Sequence, residues 1–81
     1  MAIELTLLSR NYCHLCEVME TGVAALAATL GFSFRVVDVD ADMALEARYG
    51  ERVPVLLHET VELCHYFLDE SKVREYLVEI R

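Results

Sequence analysis

The sequence predicts one α/β domain, in which a four-stranded mixed sheet carries helices on both faces in the order βαβαββα. Apolar runs typical of strands alternate with segments of helical periodicity, and the last two strand-like runs follow each other closely. The length of 81 residues is enough for a single domain with a modest core.

The first half of the chain predicts a strand-helix-strand unit. Residues 2–8 are rich in Ile and Leu and indicate a buried strand, which a loop over 9–12 follows. Helical periodicity then runs from about His14 to Leu30, Gly31 provides a stop, and Gly22 allows close packing. Aromatic and β-branched residues over 32–39 favour a second strand parallel to the first. The helix positions expected to face the core are Val18, Met19, Val23, Leu26, Ala27 and Leu30.

A short second helix is expected to connect the second and third strands. Either Asp40 or Asp42 can accept hydrogen bonds from its first amide groups as the N-cap. The helix then runs from about Met43 to Tyr49 and ends at Gly50.

The last third of the chain predicts a hairpin and a final helix. Val53-Pro54 opens a third strand that ends at Leu57, and residues 58–60 form a turn into a fourth strand over 61–65. The short connection implies that these two strands are antiparallel. Asp69 is a suitable N-cap for the last helix. The residues expected to form its buried face are Val73, Tyr76, Leu77 and Ile80.

Composition excludes several classes of function. The net charge of −7 argues against nucleic acid as a partner, because neutralising phosphates requires a basic face. No stretch approaches the roughly 20 apolar residues that span a membrane, and Glu4 interrupts the short apolar run that a signal peptide would need. We therefore expect a cytoplasmic protein. The acidic residues that form a solvated rim, or alternatively steer a basic partner, are Asp38, Asp40, Asp42, Glu46 and Glu51.

The pair Cys13 and Cys16 is the main candidate for chemistry. The two cysteines follow the first strand and open the long helix, where unpaired amides and the helix dipole stabilise a thiolate. Cys13 would lie at the mouth of the helix, with the pKa of its thiol lowered, and would act as the attacking thiol. Cys16 lies one turn deeper and would act as the resolving thiol. Three cysteines do not make a secreted disulfide scaffold, so redox work is favoured over a metal site or an inert remnant.

The Cys-His-Leu-Cys motif at 13–16, together with Val53-Pro54 before the third strand, resembles the thioredoxin fold in its short glutaredoxin form. The resemblance covers nearly the whole chain and is nearest to the small glutaredoxin-like group. It implies a dithiol-disulfide oxidoreductase whose substrate is a protein disulfide or a glutathione mixed disulfide, with glutathione or a reductase as electron donor. It also implies a cis Val53–Pro54 bond, the alternative being a trans proline that begins a strand. The substrate-binding residues that it implies are Arg10, Tyr12, His14, Val53, Pro54 and Asp69.

The chain departs from the glutaredoxin pattern at several of these positions. Arg10 stands where a lysine is usual, and Arg52 precedes Val53-Pro54 in place of a threonine. Residues 65–67 (His-Tyr-Phe) replace the glycine pair that lets the backbone approach glutathione, which tilts the expected substrate towards protein.

Several alternatives stay open from the sequence. His14 is expected to tune the charge at the pair or to be merely exposed, rather than to transfer a proton, and Tyr12 either lines the groove or covers the loop. Cys64 is expected to be a small buried strand residue, and otherwise a regulatory thiol or a dimer crosslink. We expect a monomer with no bound cofactor. The competing functions are a metal or iron–sulfur module, with the metal shared across a dimer, and a non-catalytic domain that binds an extended peptide.

Overall fold

The computed structural model describes residues 2–81 and confirms the predicted α/β architecture. The elements are β1 (Glu4–Ser9), α1 (His14–Leu30), β2 (Ser33–Asp38), α2 (Met43–Tyr49), β3 (Val55–His58), β4 (Val61–His65) and α3 (Glu70–Ile80). One turn of 3₁₀ helix precedes α2 at Val39–Ala41, and another follows it at Gly50–Arg52.

The four strands form one mixed sheet in the order β2-β1-β3-β4. β1 pairs with β2 in parallel and with β3 antiparallel, and β3 and β4 form the predicted antiparallel hairpin. Glu59 turns this hairpin with a positive φ of 56°. β1 is therefore central, and the loop that follows it leaves from the middle of the sheet.

The bounds of three predicted strands need correction. β1 spans Glu4–Ser9 rather than 2–8, and β2 spans Ser33–Asp38 rather than 32–39, because Val39 begins a 3₁₀ turn. β3 begins at Val55, one residue after the proline that was expected to open it. Proline has no N–H to donate to a neighbouring strand, so the ladder starts only after it.

The larger core lies between the sheet and the helices α1 and α3. Alternate strand residues point to this face because side chains along a strand change sides at every residue. Its buried members are Leu5, Leu7, Met19, Val23, Leu26, Phe32, Leu56, Leu63, Val73 and Leu77. Gly22 makes the predicted close approach, since a Cβ there would lie 2.9 Å from the Leu68 side chain.

The smaller core lies on the opposite face, under α2. Its buried members are Leu8, Val39, Tyr49, Val55 and Leu57. Helices thus cover both faces of the sheet, as predicted, but α2 covers its face with only two turns.

Two residues assigned to buried helix faces are exposed. Val18 on α1 has 54% of its surface exposed, and Ile80 at the end of α3 has 40% exposed. Val18 lies in the second turn of α1, and Ile80 is the last residue of α3. The other α3 positions behave as predicted, with Val73 and Leu77 buried and Tyr76 packed against the core.

The sequence left Asp40 and Asp42 as alternative N-caps of α2, and the structure assigns this role to one of them. The Asp42 carboxylate accepts hydrogen bonds from the N–H groups of Ala44 and Leu45, at 2.9 and 3.2 Å, and so caps α2. Asp40 caps no helix and binds Arg10 instead. Gly31 ends α1 in the left-handed conformation, with φ of 76°, as its glycine suggests.

Within residues 2–81, no helix combines the length and the apolar character needed to cross a bilayer.

Candidate active site

The segments that the sequence assigns to the site come together at one end of the strands. Strand register places Ser9 beside Asp38, Leu8 beside Val55, and Val55 beside His65. The loop to Cys13, the loop after β2, the segment before β3 and the loop after β4 therefore leave the sheet at the same end. We call this end the cysteine edge.

Cys13 is the N-cap of α1, and Cys16 lies in its first turn. Cys13 has extended backbone angles, φ −113° and ψ 106°, and its sulfur accepts a hydrogen bond from the Cys16 N–H at 3.2 Å. The two Cα atoms are 5.2 Å apart and the two sulfurs are joined as a disulfide. Cys13 is half-buried, whereas Cys16 is 2% exposed. A partner molecule can therefore reach the Cys13 sulfur but not the Cys16 sulfur.

Tyr12 and His14 flank Cys13 and face the solvent. Tyr12 has a positive φ of 60°, and its side chain is fully exposed. The ring therefore does not cover the loop, which leaves it free to contact a substrate. His14 is exposed at the first position of α1.

The segment before β3 lies at the cysteine edge with Val53 extended and Pro54 buried. The Val53–Pro54 peptide bond is cis. Val53 has φ −60° and ψ 144°, which is extended backbone, and the residue is half-buried.

Tyr66 fixes this segment from the β4 side. Its N–H donates to the Pro54 carbonyl and its hydroxyl donates to the Glu51 carbonyl, both at 2.9 Å. Its φ is 63°, in the left-handed region, which costs a residue with a side chain about 1 kcal/mol. The sequence did not single out Tyr66 as a holding residue. The available signal was that residues 65–67 stand where the glutaredoxin pattern described above has its glycine pair, since glycine adopts positive φ freely.

Arg10 fixes the loop from the other side and is bound to three groups. Its guanidinium donates to both oxygens of Asp40 at 3.0 Å, to Glu46 at 3.3 Å and to the carbonyl of Gly50 at 3.2 Å. The hydrogen bonds that Arg10 donates to the Asp40 carboxylate are the main reason that the pKa of Arg10 is raised. A Cβ on Gly50 would lie 2.7 Å from a Glu46 oxygen and 3.2 Å from the guanidinium, so the glycine makes room for the cluster.

Asp69 and Cys64 are associated with each other rather than with the cysteine pair. The Asp69 carboxylate accepts a hydrogen bond from the Lys72 N–H at 3.0 Å and caps α3, as predicted. Cys64 is half-buried against the larger core, so it is less enclosed than expected. Burial raises the pKa of its thiol, although a hydrogen bond from the Asp69 backbone opposes the shift. Cys64 is therefore a weak nucleophile at neutral pH.

A network of charged side chains borders the segment before β3. Arg52 contacts Glu62 at 3.3 Å and lies over the ring of Tyr49 at 5.3 Å from its centroid. The other oxygen of Glu62 is 2.8 Å from the His65 ring. The His65 side chain thus already has a hydrogen-bond partner within β4. In the part of the chain that the structure describes, no three Cys, His, Asp or Glu side chains converge as ligands for a metal ion.

Comparison with known proteins gives concordant matches over most of the chain. The profile of the Glutaredoxin-like domain (DUF836) matches residues 4–78. The solution NMR structure of protein Ne2328 from Nitrosomonas europaea is 37% identical with a TM-score of 0.83, covering 94% of this chain and 92% of that one. An uncharacterized protein of Mycobacterium tuberculosis is 32% identical over 76 residues, which cover 88% of this chain and 78% of the relative.

A more distant structure shows the fold alone. Thioredoxin 1 from Thermosipho africanus superposes with a TM-score of 0.66 at 16% identity, covering 98% of this chain and 100% of that one. The match confirms a thioredoxin-like fold.

Proposed function

The chain belongs to the glutaredoxin-like domain family (DUF836), and we propose that it acts as a small dithiol-disulfide oxidoreductase through Cys13 and Cys16. In this proposal Cys13 is the attacking thiol, Cys16 is the resolving thiol, and the substrate is a protein disulfide or a glutathione mixed disulfide.

The asymmetry of the cysteine pair is the observation that supports this proposal. Cys13 is half-buried at the helix N-terminus, whereas Cys16 is 2% exposed one turn further along. The Cys16 N–H already points at the Cys13 sulfur at 3.2 Å. In the reduced protein the same N–H would donate to a thiolate, and a hydrogen bond to the charged form of an acid favours ionisation.

The reaction proceeds by two exchanges. The Cys13 thiolate attacks one sulfur of the substrate disulfide, a Cys13 mixed disulfide forms, and the other substrate sulfur leaves as a thiolate that takes up a proton. The Cys16 thiol loses its proton to solvent and attacks the Cys13 sulfur. The second substrate thiolate then leaves, so the substrate gains two electrons and the Cys13–Cys16 disulfide forms.

A thiol donor must return these two electrons. Two glutathione molecules, or a reductase with its own dithiol, would attack the oxidised pair at the accessible Cys13 sulfur by the same exchange in reverse. We propose the cytoplasm as the setting, because its thiol pool keeps such a donor reduced.

The contacts to substrate would come from the cysteine edge. Tyr12 and His14 present exposed side chains beside Cys13, and Val53 presents an extended backbone next to Pro54. An extended peptide can pair with such a backbone segment through main-chain hydrogen bonds. The structure gives Asp69 the role of a helix cap, so any contact of its carboxylate with a substrate would compete with that role.

Thiol alkylation read by mass spectrometry tests the proposal. The protein is equilibrated in glutathione buffers of graded potential and alkylated, and the state of each cysteine is read from peptide masses. We expect Cys13 and Cys16 to convert together to a disulfide between about −180 and −280 mV, the range of thioredoxin-like carriers. A Cys64→Ala variant serves as the control and should convert in the same range.

Two other results would identify the competing functions. A pair that stays reduced at every potential, with peptide binding unchanged in Cys13→Ser, would identify a non-catalytic binding domain. Cysteines protected by a metal or cluster after anaerobic purification would identify a metal module.

A further inference from the structure

Arg10 is the positively charged side chain nearest in sequence to Cys13, and its contacts decide whether it can attract a negatively charged substrate. It lies in the same loop, three residues before the cysteine. Its guanidinium binds the Asp40 carboxylate through two nitrogens, a fork geometry that carboxylates favour, and also contacts Glu46. One positive charge is thus faced by two negative charges.

The partners of Arg10 are held in place by the fold. Asp40 lies in the 3₁₀ turn after β2, and its N–H donates to the side chain of Asp38, the N-cap of that turn, at 2.9 Å. Glu46 lies in the first turn of α2, and the remaining contact of Arg10 is the Gly50 carbonyl beyond the end of that helix. The guanidinium therefore points towards α2, where its donors are used.

We propose that Asp40 and Glu46 act as specificity determinants by sequestering Arg10, so that the site disfavours anionic disulfides such as glutathione disulfide and favours uncharged or basic polypeptide disulfides. The inference rests on the proposed oxidoreductase function and specifies its substrate class. Its physical basis is that a cation paired with two carboxylates presents no excess positive charge beside Cys13, in a protein whose net charge of −7 repels an incoming anion.

Two disulfides of different charge test this inference. The probes are glutathione disulfide, in which carboxylates outnumber amines, and bis(2-hydroxyethyl) disulfide, which is uncharged. The measured quantity is the second-order rate constant for glutathione disulfide divided by that for bis(2-hydroxyethyl) disulfide, each with the reduced protein at low ionic strength. We call this quotient the ratio. A ratio removes any general loss of reactivity that a variant suffers.

Releasing Arg10 should raise this ratio. In Asp40→Asn with Glu46→Gln, the ratio is expected to rise by about fivefold, the factor that one unit charge about 4 Å from another gives in water, and high salt should remove the rise. Neither residue caps α2, because Asp42 does so. Adding Arg10→Gln to this variant should return the ratio to the range of the control.

Glu75→Gln with Glu79→Gln is the matched control, because it removes the same number of negative charges. These residues lie in the second half of α3, whose end at Arg81 contacts the Leu30 and Gly31 carbonyls, at the end of α1 opposite to Cys13. We expect a much smaller rise here. An equal rise in both charge-matched variants would overturn the inference, because net charge alone would then explain the preference.

Arg10→Gln in the otherwise natural chain provides a second test. If Arg10 is sequestered, this change should lower the ratio less than the same change does in the Asp40→Asn, Glu46→Gln background, where the guanidinium is free to meet the substrate. An equal or larger decrease in the otherwise natural chain would show that the paired Arg10 already attracts anionic disulfides, and the inference would be wrong. If the protein reacts with neither disulfide, the proposed oxidoreductase function fails and this inference fails with it. If it reacts with both, and Asp40→Asn with Glu46→Gln leaves the ratio unaltered, this inference alone is overturned.

Discussion

The N–H of Cys16 donates a hydrogen bond to the sulfur of Cys13 at 3.2 Å. The donor belongs to the backbone, so replacing the Cys16 side chain leaves it in place. In a Cys16→Ser, Cys64→Ala variant, the pH profile of Cys13 alkylation should therefore have its midpoint clearly below the value of about 8.5 that an ordinary thiol shows. A midpoint at the ordinary value would contradict the role given to the helix N-terminus.

The difference in exposure between the two cysteines predicts which variant accumulates an intermediate. Cys16→Ser should retain a covalent mixed disulfide on Cys13, because the attack that releases the substrate is missing. Cys13→Ser should retain none, since Cys16 is 2% exposed and a substrate sulfur cannot reach it. Mass spectrometry after mixing with a disulfide-containing peptide measures both. Adduct on Cys16 in the Cys13→Ser variant would contradict this order of attack.

Tyr66→Phe should weaken the hold on the segment before β3. The change removes the hydroxyl that donates to the Glu51 carbonyl but keeps the ring and the N–H that bonds to Pro54. We expect the free energy of unfolding to fall by about 0.5 kcal/mol, the lower end for a partly exposed hydrogen bond. Tyr12→Phe is the control, because the Tyr12 side chain is fully exposed, and its urea unfolding curve should match that of the natural chain. Equal curves for all three proteins would argue against the holding role of Tyr66.

Gly50→Ala should change the ratio of reaction with the two disulfides but not the stability, whereas Gly31→Ala should change the stability but not the ratio. At Gly50 the backbone is helical, with φ −53°, and a Cβ would meet only the movable ends of Glu46 and Arg10. We expect little change in unfolding free energy but a higher ratio of reaction with glutathione disulfide, because the Arg10 cluster is displaced. At Gly31, φ is 76° with open space around the Cβ position, so alanine should cost about 1 kcal/mol without altering the ratio. Urea unfolding and the two-disulfide assay distinguish the two effects.

Cys64 should react slowly until the pH is high. Burial disfavours its thiolate, so the pKa of the thiol lies above its ordinary value. In a Cys13→Ser, Cys16→Ser variant, alkylation of the folded protein should be slower at pH 8 than in urea and should still be rising at a pH where the unfolded thiol is fully ionised. Because the unfolded chain releases this proton first, the corresponding stability is present below the pKa of the unfolded thiol and is lost as the pH rises through the raised pKa of the folded one. A folded protein that alkylates as fast as the unfolded one would contradict the effect of burial.

The parts of the fold that follow local rules were predictable from the sequence. The bounds of α1 and α2 agree with the structure, because Gly31 and Gly50 mark their ends and because apolar spacing defines their buried faces. The place of the cysteine pair at the start of α1 followed from the same pattern. The exposure of Val18 and Ile80 was not predictable, since periodicity indicates which way a residue points but not whether the sheet extends beneath it.

The features that depend on contacts between distant segments were not predictable. Arg10 was expected to present its charge to a substrate, yet its partners come from positions 30 and 36 residues later in the chain. The left-handed conformation of Tyr66 likewise needs the β3 segment that its amide and hydroxyl bind. No local pattern specifies such pairings, because several acidic residues of this chain could have met Arg10.

The unequal cores on the two faces of the sheet imply that the molecule does not open uniformly. Cys16 is buried on the well-packed α1 side, whereas Asp40, Glu46 and Gly50 belong to the segment supported by the five buried residues of the smaller core. Segments with few buried contacts exchange their amide hydrogens through local opening, at a lower free energy than global unfolding. Amides of α2 should therefore exchange with deuterium before those of α1. The Arg10 cluster, for which we propose a role in substrate selection, would then loosen and re-form while the cysteine pair stays on a rigid support.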